Sequence, residues 1–292
     1  MAIETAHPDV DGLDAVVRVL GQWQDEPAPV QLHPGDVGWF RRFGAERTAR
    51  AVRTWRRAGR VLAVGLLDGP DLLRLAIAPD ALRDEELARR MVEDVSVPGR
   101  GVLGEGSVYV ETPPGALVRE LLAGEGWEND EPWTPLRRDL AGPVPDPGVR
   151  VEVVGPEQVA ERTAVQRAAF DGSTFTDTSW HAMAAGPSYR DARCLLARDE
   201  RGEAVAVVTL WSAGRGRPGL IEPMGVHPAH RGHGHGRAIT LAAARTLQEL
   251  GASSVVVSTP STNIGAVATY RSAGLEPLPT KRDLRRKGAA AR

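Results

Sequence analysis

The sequence predicts an α/β protein of two related halves, each a mixed sheet flanked by helices. Three observations predict it. Strand-like and helix-like runs alternate along the chain. The order strand, helix, strand, helix, then a glycine followed by a large apolar residue occurs once in each half. Between the halves lies Gly142-Pro143-Val144-Pro145-Asp146-Pro147-Gly148, whose alternating prolines favour an extended linker. The expected division is therefore 1–141, 142–148 and 149–292.

In the first half, Leu73 to Ala78 reads as a strand ending at Pro79, and Asp84 to Asp94 as a helix. Val108 to Thr112 is a second strand, and Ala116 to Ala123 a second helix closed by Gly126-Trp127. The second half opens with a strand over Val149–Val154 and a helix over Pro156–Ala169. The loop 170–175 and a short helix near Ser179–Ala185 follow. Arg193–Arg198 and Glu203–Trp211 form a hairpin around Asp199-Glu200-Arg201-Gly202, a run of turn formers. Then come a strand over Leu220–Val226, a helix over Gly236–Leu250, a strand over Ser254–Thr259, a helix over Asn263–Ala273 and a final hairpin. Asn263 is a good N-cap and Gly274 a good C′ residue.

The most informative stretch is Arg231-Gly232-His233-Gly234-His235-Gly236, between a strand and a helix. Glycines at the mouth of a helix let backbone N–H groups approach an anion, and the helix's positive end attracts it, so the loop suits a phosphate or pyrophosphate. A Walker loop would need a lysine, and none is near. A dinucleotide fingerprint would need Gly-x-Gly-x-x-Gly with an acid about 20 residues on, and Ser254–Ser258 carries no acid.

The pattern present is Val-x-Pro followed by Arg-x-x-Gly-x-Gly, on Val226, Pro228, Arg231, Gly234 and Gly236. It resembles the coenzyme A pyrophosphate loop of the GNAT acetyltransferase superfamily. The run Asn263 to Leu275 resembles the later motif of that family, Asn-x-x-Ala-x-x-x-Tyr-x-x-x-Gly-Phe, with Leu275 in place of the phenylalanine. His235 departs from the aliphatic residue usual between the last two glycines. The resemblance covers about Val149 to Leu284 and implies two tandem GNAT-like domains with mixed, mostly antiparallel sheets. Aligning Pro79 with Pro228 puts Leu82, Glu85 and Leu87 at the positions of Arg231, Gly234 and Gly236. The acids Asp84, Glu85 and Glu86 there would repel a pyrophosphate, so the first copy is expected to be degenerate and structural.

The resemblance further implies an acetyl-CoA-dependent N-acetyltransferase acting on a primary amine of a small molecule, an amino acid or a peptide terminus. An amine must lose a proton before it attacks a thioester, and the departing thiolate benefits from a donor. Glu222, on the strand leading to the loop, is the candidate base; a strand-edge charge facing water is the plainer reading. Tyr270 is the candidate proton donor to the coenzyme sulfur, set against a packed aromatic. Pro223 predicts a bulge, since it cannot donate to a ladder. Coenzyme contacts are expected from Met224, Gly225 and Val226 on the strand, from Arg231, Gly232, His233, Gly234, His235, Gly236 and Arg237 around the loop, and from Asn263. A non-catalytic coenzyme A sensor or scaffold is the alternative.

Composition narrows the rest. With 292 residues, 42% hydrophobic and 25% charged, the chain is long enough for two domains. No apolar run reaches the ~20 residues of a membrane span, and no secretory signal is visible. One cysteine, Cys194, excludes an internal disulfide and fits a reducing cytoplasm. A net charge of −2 gives no case for nucleic acid. His227, His230, His233 and His235 crowd one loop, but it holds no cysteine or carboxylate, so no metal is expected. A homodimer stays open.

Overall fold

The computed structural model describes residues 2–26 and 30–288. The first part of the chain forms β1 (Glu4–Ala6), α1 (Leu13–Trp23), α2 (Pro34–Phe40), α3 (Ala45–Ala51), β2 (Val52–Arg57), β3 (Arg60–Leu67) and β4 (Leu72–Ile77). It continues through α4 (Glu85–Ser96), β5 (Val108–Glu111), α5 (Leu117–Gly124) and β6 (Glu128–Asp139). After the linker come β7 (Arg150–Val153), α6 (Val159–Ala169), α7 (Asp177–Ala184), β8 (Ala192–Arg198), β9 (Ala204–Trp211) and β10 (Gly219–Val226). Then follow α8 (His235–Glu249), β11 (Ser254–Pro260), α9 (Ile264–Ser272), β12 (Glu276–Pro277) and β13 (Lys281–Arg286).

Two compact units result: 1–33, 45–133 and 281–292 form one, 34–44 and 134–280 the other. Set against a division at 142–148, three segments change sides. Residues 34–44 and 134–141 pack with the C-terminal set, and 281–292 with the N-terminal set.

In the first unit β1 to β4 form an antiparallel meander, and β5 adds parallel to β4. Asp84 caps α4 by accepting from the Leu87 N–H at 2.9 Å and is itself held by Arg57 at 2.7 Å. The chain's own carboxylate thus occupies the amide end that a phosphate would need. Leu284 of β13 is buried opposite Val110, which ties the last strand into this unit.

The final hairpin is not formed. β12 pairs with β6 in the second unit, and β13 pairs antiparallel with β5 and β6 in the first. Pro277 and Pro279 remove ladder N–H groups between the two short strands, so pairing is interrupted without the chain reversing.

A charged cluster beside β13 has a consequence for stability. Glu111 is buried; burial alone would raise its pKa, but Arg74 at 2.6 Å and Lys281 outweigh that and hold it well below the usual range. Asp283 feels the same two cations, but for it they are outweighed. Burial and the neighbouring Glu111 push it up to about 6. An acid with a raised folded pKa favours the folded state most while protonated, so its contribution falls as pH rises from about 4 to about 6. Asp283→Asn should therefore match wild type near pH 4 and exceed it above pH 6, by about 1–3 kcal/mol before solvent screening. Urea midpoints at pH 4 and 7.5 measure it; an equal difference at both pH values would refute this assignment.

In the second unit β7, β8, β9 and β10 are antiparallel neighbours, and β10 meets β11 in parallel. The β8–β9 turn forms as expected. Asp199 Oδ1 accepts from the N–H groups of Arg201 and Glu203, and Gly202 adopts φ +83°. Alternation along β9 builds two cores. Ala206, Val208 and Leu210 join Ile239, Leu247 and Tyr270 on the α8 side. Val207 and Trp211 join Val165, Phe175, Trp180 and Cys194 on the α6 side. Helix α2 lies directly on Trp211: a Cβ on Gly38 would collide with that indole, and Ser188 Oγ donates to the Pro34 carbonyl at 3.0 Å.

Candidate active site

The glycine loop opens α8 as the sequence predicts. Gly232 and Gly234 take φ +82° and +83°, a conformation that disfavours any side chain. A Cβ on either would meet nothing within 4 Å, so the loop borders open space. Gly234 is the N-cap and offers no side chain to cap the helix. The N–H groups of His235, Gly236 and Arg237 lie in the first turn, where the helix supplies no acceptor. Gly236 serves packing instead: a Cβ there would come 2.8 Å from Thr269 Cγ2 on α9. That close approach sets α9, and with it Tyr270, against α8.

Strand β10 carries the expected bulge. Ile221 pairs with Leu210 and Met224 with Val208, and the register shifts between them, at Glu222 and Pro223. The Glu222 carbonyl, displaced from the ladder, accepts from Trp211 Nε1 at 2.7 Å. β10 pairs with β11 only at Gly219 and Leu220, so the two strands part beyond that point. Met224, Gly225 and Val226 keep their β9 partners on one edge while the other has left β11. Gly225 also admits α6, since a Cβ there would lie 2.6 Å from Ala169 Cβ.

Tyr270 is buried on α9 and is the residue of that helix that enters the core. Burial raises its phenol pKa, and the Glu222 carboxylate raises it further. Glu222 of β10 thus lies near enough to Tyr270 of α9 for its charge to act on the phenol. The phenol stays protonated across the neutral range and is available as a donor.

Other expected contacts take structural work. Asn263 caps α9 by accepting from the Ala266 N–H at 3.1 Å. Arg231 turns its guanidinium back onto the Val226 and Ala169 carbonyls, at 3.4 and 3.1 Å, and its N–H reaches the Pro228 carbonyl. It braces the loop on β10 and α6 and does not extend into the open space. Arg237 Nε donates to the Ser272 carbonyl, linking α8 to the end of α9. His227 Nδ1 accepts from the Ala229 N–H, and His233 Nδ1 lies 2.9 Å from the Arg231 carbonyl. The carboxylates missing from the histidine loop come from the β8–β9 turn: His230 lies 3.9 Å from Asp199 and 3.6 Å from Glu203. Nδ1 of that imidazole faces Asp199 and Nε2 faces Glu203.

The α6 face holds polar groups that no motif marks. Arg162 is fully buried, with Phe175 stacked over its guanidinium at 4.2 Å and Nη2 donating to Thr209 Oγ1 at 3.3 Å. Among the described residues its Nε and Nη1 have no hydrogen-bond partner, nor do Gln166 Oε1 and Trp180 Nε1. Phe175 stacks on Trp39 of α2, 5.4 Å between centroids. In sequence the only signal is a charged residue on the inward face of an amphipathic helix.

The unit thus combines a splayed strand pair, a glycine loop at a helix start, and an acid and a phenol on neighbouring elements. Residues 163–275 match the model of the acetyltransferase (GNAT) family. Over 94% of its length the chain is 29% identical to a mycothiol acetyltransferase of Nocardia farcinica (strain IFM 10152), covering 93% of that protein. Its fold is similar to a tandem GNAT protein from the clavulanic acid biosynthesis pathway, with TM-score 0.62, 16% identity and coverage of 99% and 100% of the two chains. A GCN5-related N-acetyltransferase from Sphaerobacter thermophilus gives TM-score 0.58 and 20% identity over 97% and 95%. The tandem α/β architecture is shared with such proteins. Among the described residues no helix is long and apolar enough to cross a membrane.

Proposed function

We propose that the chain transfers an acetyl group from acetyl-CoA to a primary amine of a small molecule, an amino acid or a peptide terminus, by direct attack. The observation that carries this reading is the electrostatic coupling of Glu222 and Tyr270 beside the parted strands β10 and β11. The residues present fit the coenzyme: open space in front of Gly232 and Gly234 and the unused first-turn amides of α8 suit its pyrophosphate. The free edge of β10 at Met224 to Val226 suits the pantetheine amides. Bound acetyl-CoA supplies the activated thioester.

In this reading Glu222 removes a proton from the incoming ammonium, directly or through a water, and the amine attacks the carbonyl carbon. Tyr270 donates to the sulfur as the C–S bond breaks. A sensor would need neither group. Thiol release from acetyl-CoA across an amine panel tests the proposal, with amine-dependent release the expected result. Coenzyme A binding without such release would favour the sensor. For Glu222→Gln, the acidic limb of the pH–rate profile should vanish, because the amide cannot titrate. A variant that keeps the limb would move the base elsewhere.

A further inference from the structure

The first unit holds a charged cavity that acetyl transfer does not use. It measures about 370 Å³ and is lined by Thr5 of β1, Arg53 of β2, Arg90 and Asp94 of α4, and Arg100 and Gly101 beyond that helix. Asp94 is its hub and is almost wholly buried. Its oxygens accept from Thr5 Oγ1 at 2.7 Å, Trp55 Nε1 at 2.9 Å, Arg90 Nε at 2.9 Å and Arg100 Nη1 at 3.3 Å. Those donors saturate the carboxylate, so Asp94 fixes the two arginines and has nothing left for a ligand.

The second unit shows that the fold does not require this network. Ile77 pairs with Ala63, Ala63 with Trp55 and Trp55 with Thr5. With Pro79 aligned on Pro228, the same steps lead from Val226 through Ala206 and Ala197 to Val151. Counted from the N-caps Asp84 and Gly234, Asp94 matches Ala244. Thr5, Trp55 and Asp94 thus stand where Val151, Ala197 and Ala244 pack as apolar core. Apolar residues are often as stabilising as a buried ion-pair network, so the charges answer to something other than packing.

The cations also outnumber their counter-ions. Arg100 Nη2 meets Glu93 at 2.7 Å, so Arg90 and Arg100 between them have two carboxylates. Arg53 has none among the described residues; it donates to the Arg50, Val52 and Gly101 carbonyls. Arg53 Nε, Arg90 Nη2 and Arg100 Nε make no hydrogen bond among the described residues. The side chains of Arg90 and Arg100 are 32% and 39% exposed, so they can be reached from the cavity.

We infer that this cavity binds the phosphate of a small phosphomonoester. Guanidiniums are well matched to phosphate oxygens. These three come from a strand, a helix and the segment after it, an arrangement that suits a tetrahedral dianion better than one planar carboxylate edge. A water takes about 30 Å³ and small-molecule sites run from about 300 to 1,000 Å³, so the cavity has room for more than a bare phosphate. An organic group therefore accompanies the anion. The site uses no residue of the glycine loop, so it stands whether or not the second unit transfers acetyl groups.

Calorimetry on the full chain tests it with adenosine monophosphate, glucose phosphate and phosphoserine. Adenosine, glucose, serine, acetate and inorganic phosphate are the controls. At least one ester should bind at least about tenfold more tightly than its unphosphorylated parent and than inorganic phosphate. Arg53→Met should weaken that ester by at least about tenfold, and Arg53→Lys by less, because lysine keeps the charge. Removing Arg53 leaves no buried acid unpaired, so the melting temperature should stay near wild type. The glycine loop is the rival phosphate site, and Gly234→Val separates the two: ester affinity should survive that change. The inference is overturned if none of the three esters binds, or if a parent compound or inorganic phosphate binds as tightly. It is equally overturned if the affinity survives Arg53→Met or is abolished by Gly234→Val.

Discussion

Tyr270→Phe should lower kcat by about 10–10³-fold while leaving coenzyme A affinity and the melting temperature close to wild type. The expectation rests on where the phenol is. Its ring packs in the α8-side core with Ile239 and Leu275, so phenylalanine fills the same space and the helix cap at Asn263 is untouched. What is lost is one donor in a buried setting, where a donor to developing charge counts for more than in water. Burial and Glu222 both push the phenol's pKa up, so it remains protonated well past neutrality. The wild-type rate should accordingly show no alkaline limb from this group below about pH 10. Steady-state kinetics with saturating acetyl-CoA measure the first effect and a pH series the second. Unchanged turnover in Tyr270→Phe would remove the residue from the mechanism.

The parts of the fold that the sequence made legible are those governed by local rules. Asp199 to Gly202 form the turn their residue types favour, Asn263 caps its helix, and Pro223 marks the bulge because a ring nitrogen cannot join a ladder. The acids at 84–86 announce a helix start, and Asp84 caps it. What stayed hidden depends on distant partners. Residues 276–286 look like a hairpin because two polar strands flank prolines, but which strands accept them is set by β5 and β6, far earlier in the chain. Residues 34–44 carry no motif, and their place on Trp211 follows from shape at Gly38. Arg231 matches the loop pattern, yet its side chain finds two carbonyls that only the folded α6 and β10 bring near. Arg162 is the extreme case: an ordinary helical arginine in sequence, a fully buried cation with two nitrogens unpartnered among the described residues.

The last two glycines of the loop play different parts, and that difference supplies the second large effect. At Gly234 a side chain would find empty space, but the residue sits at φ +83°. Valine there faces a strain of about 1–3 kcal/mol, which it relieves by rotating the peptide planes that aim the loop amides. Gly234→Val should therefore abolish coenzyme A binding, with at least a hundredfold weakening in calorimetry, on the order of 3 kcal/mol. The far-UV spectrum should stay that of the wild type, since no packed atom is displaced. At Gly236 the backbone is helical and the obstacle is Thr269 Cγ2, 2.8 Å from a Cβ. Gly236→Ala should instead push α9 outward, so it should lower the melting temperature and move Tyr270, a loss in kcat more than in affinity. If the two variants behaved alike, the loop would be acting through packing alone, and amide recognition of the pyrophosphate would have to be given up. Binding lost at 234 with the fold intact, against stability lost at 236, is the pattern that a backbone anion site requires.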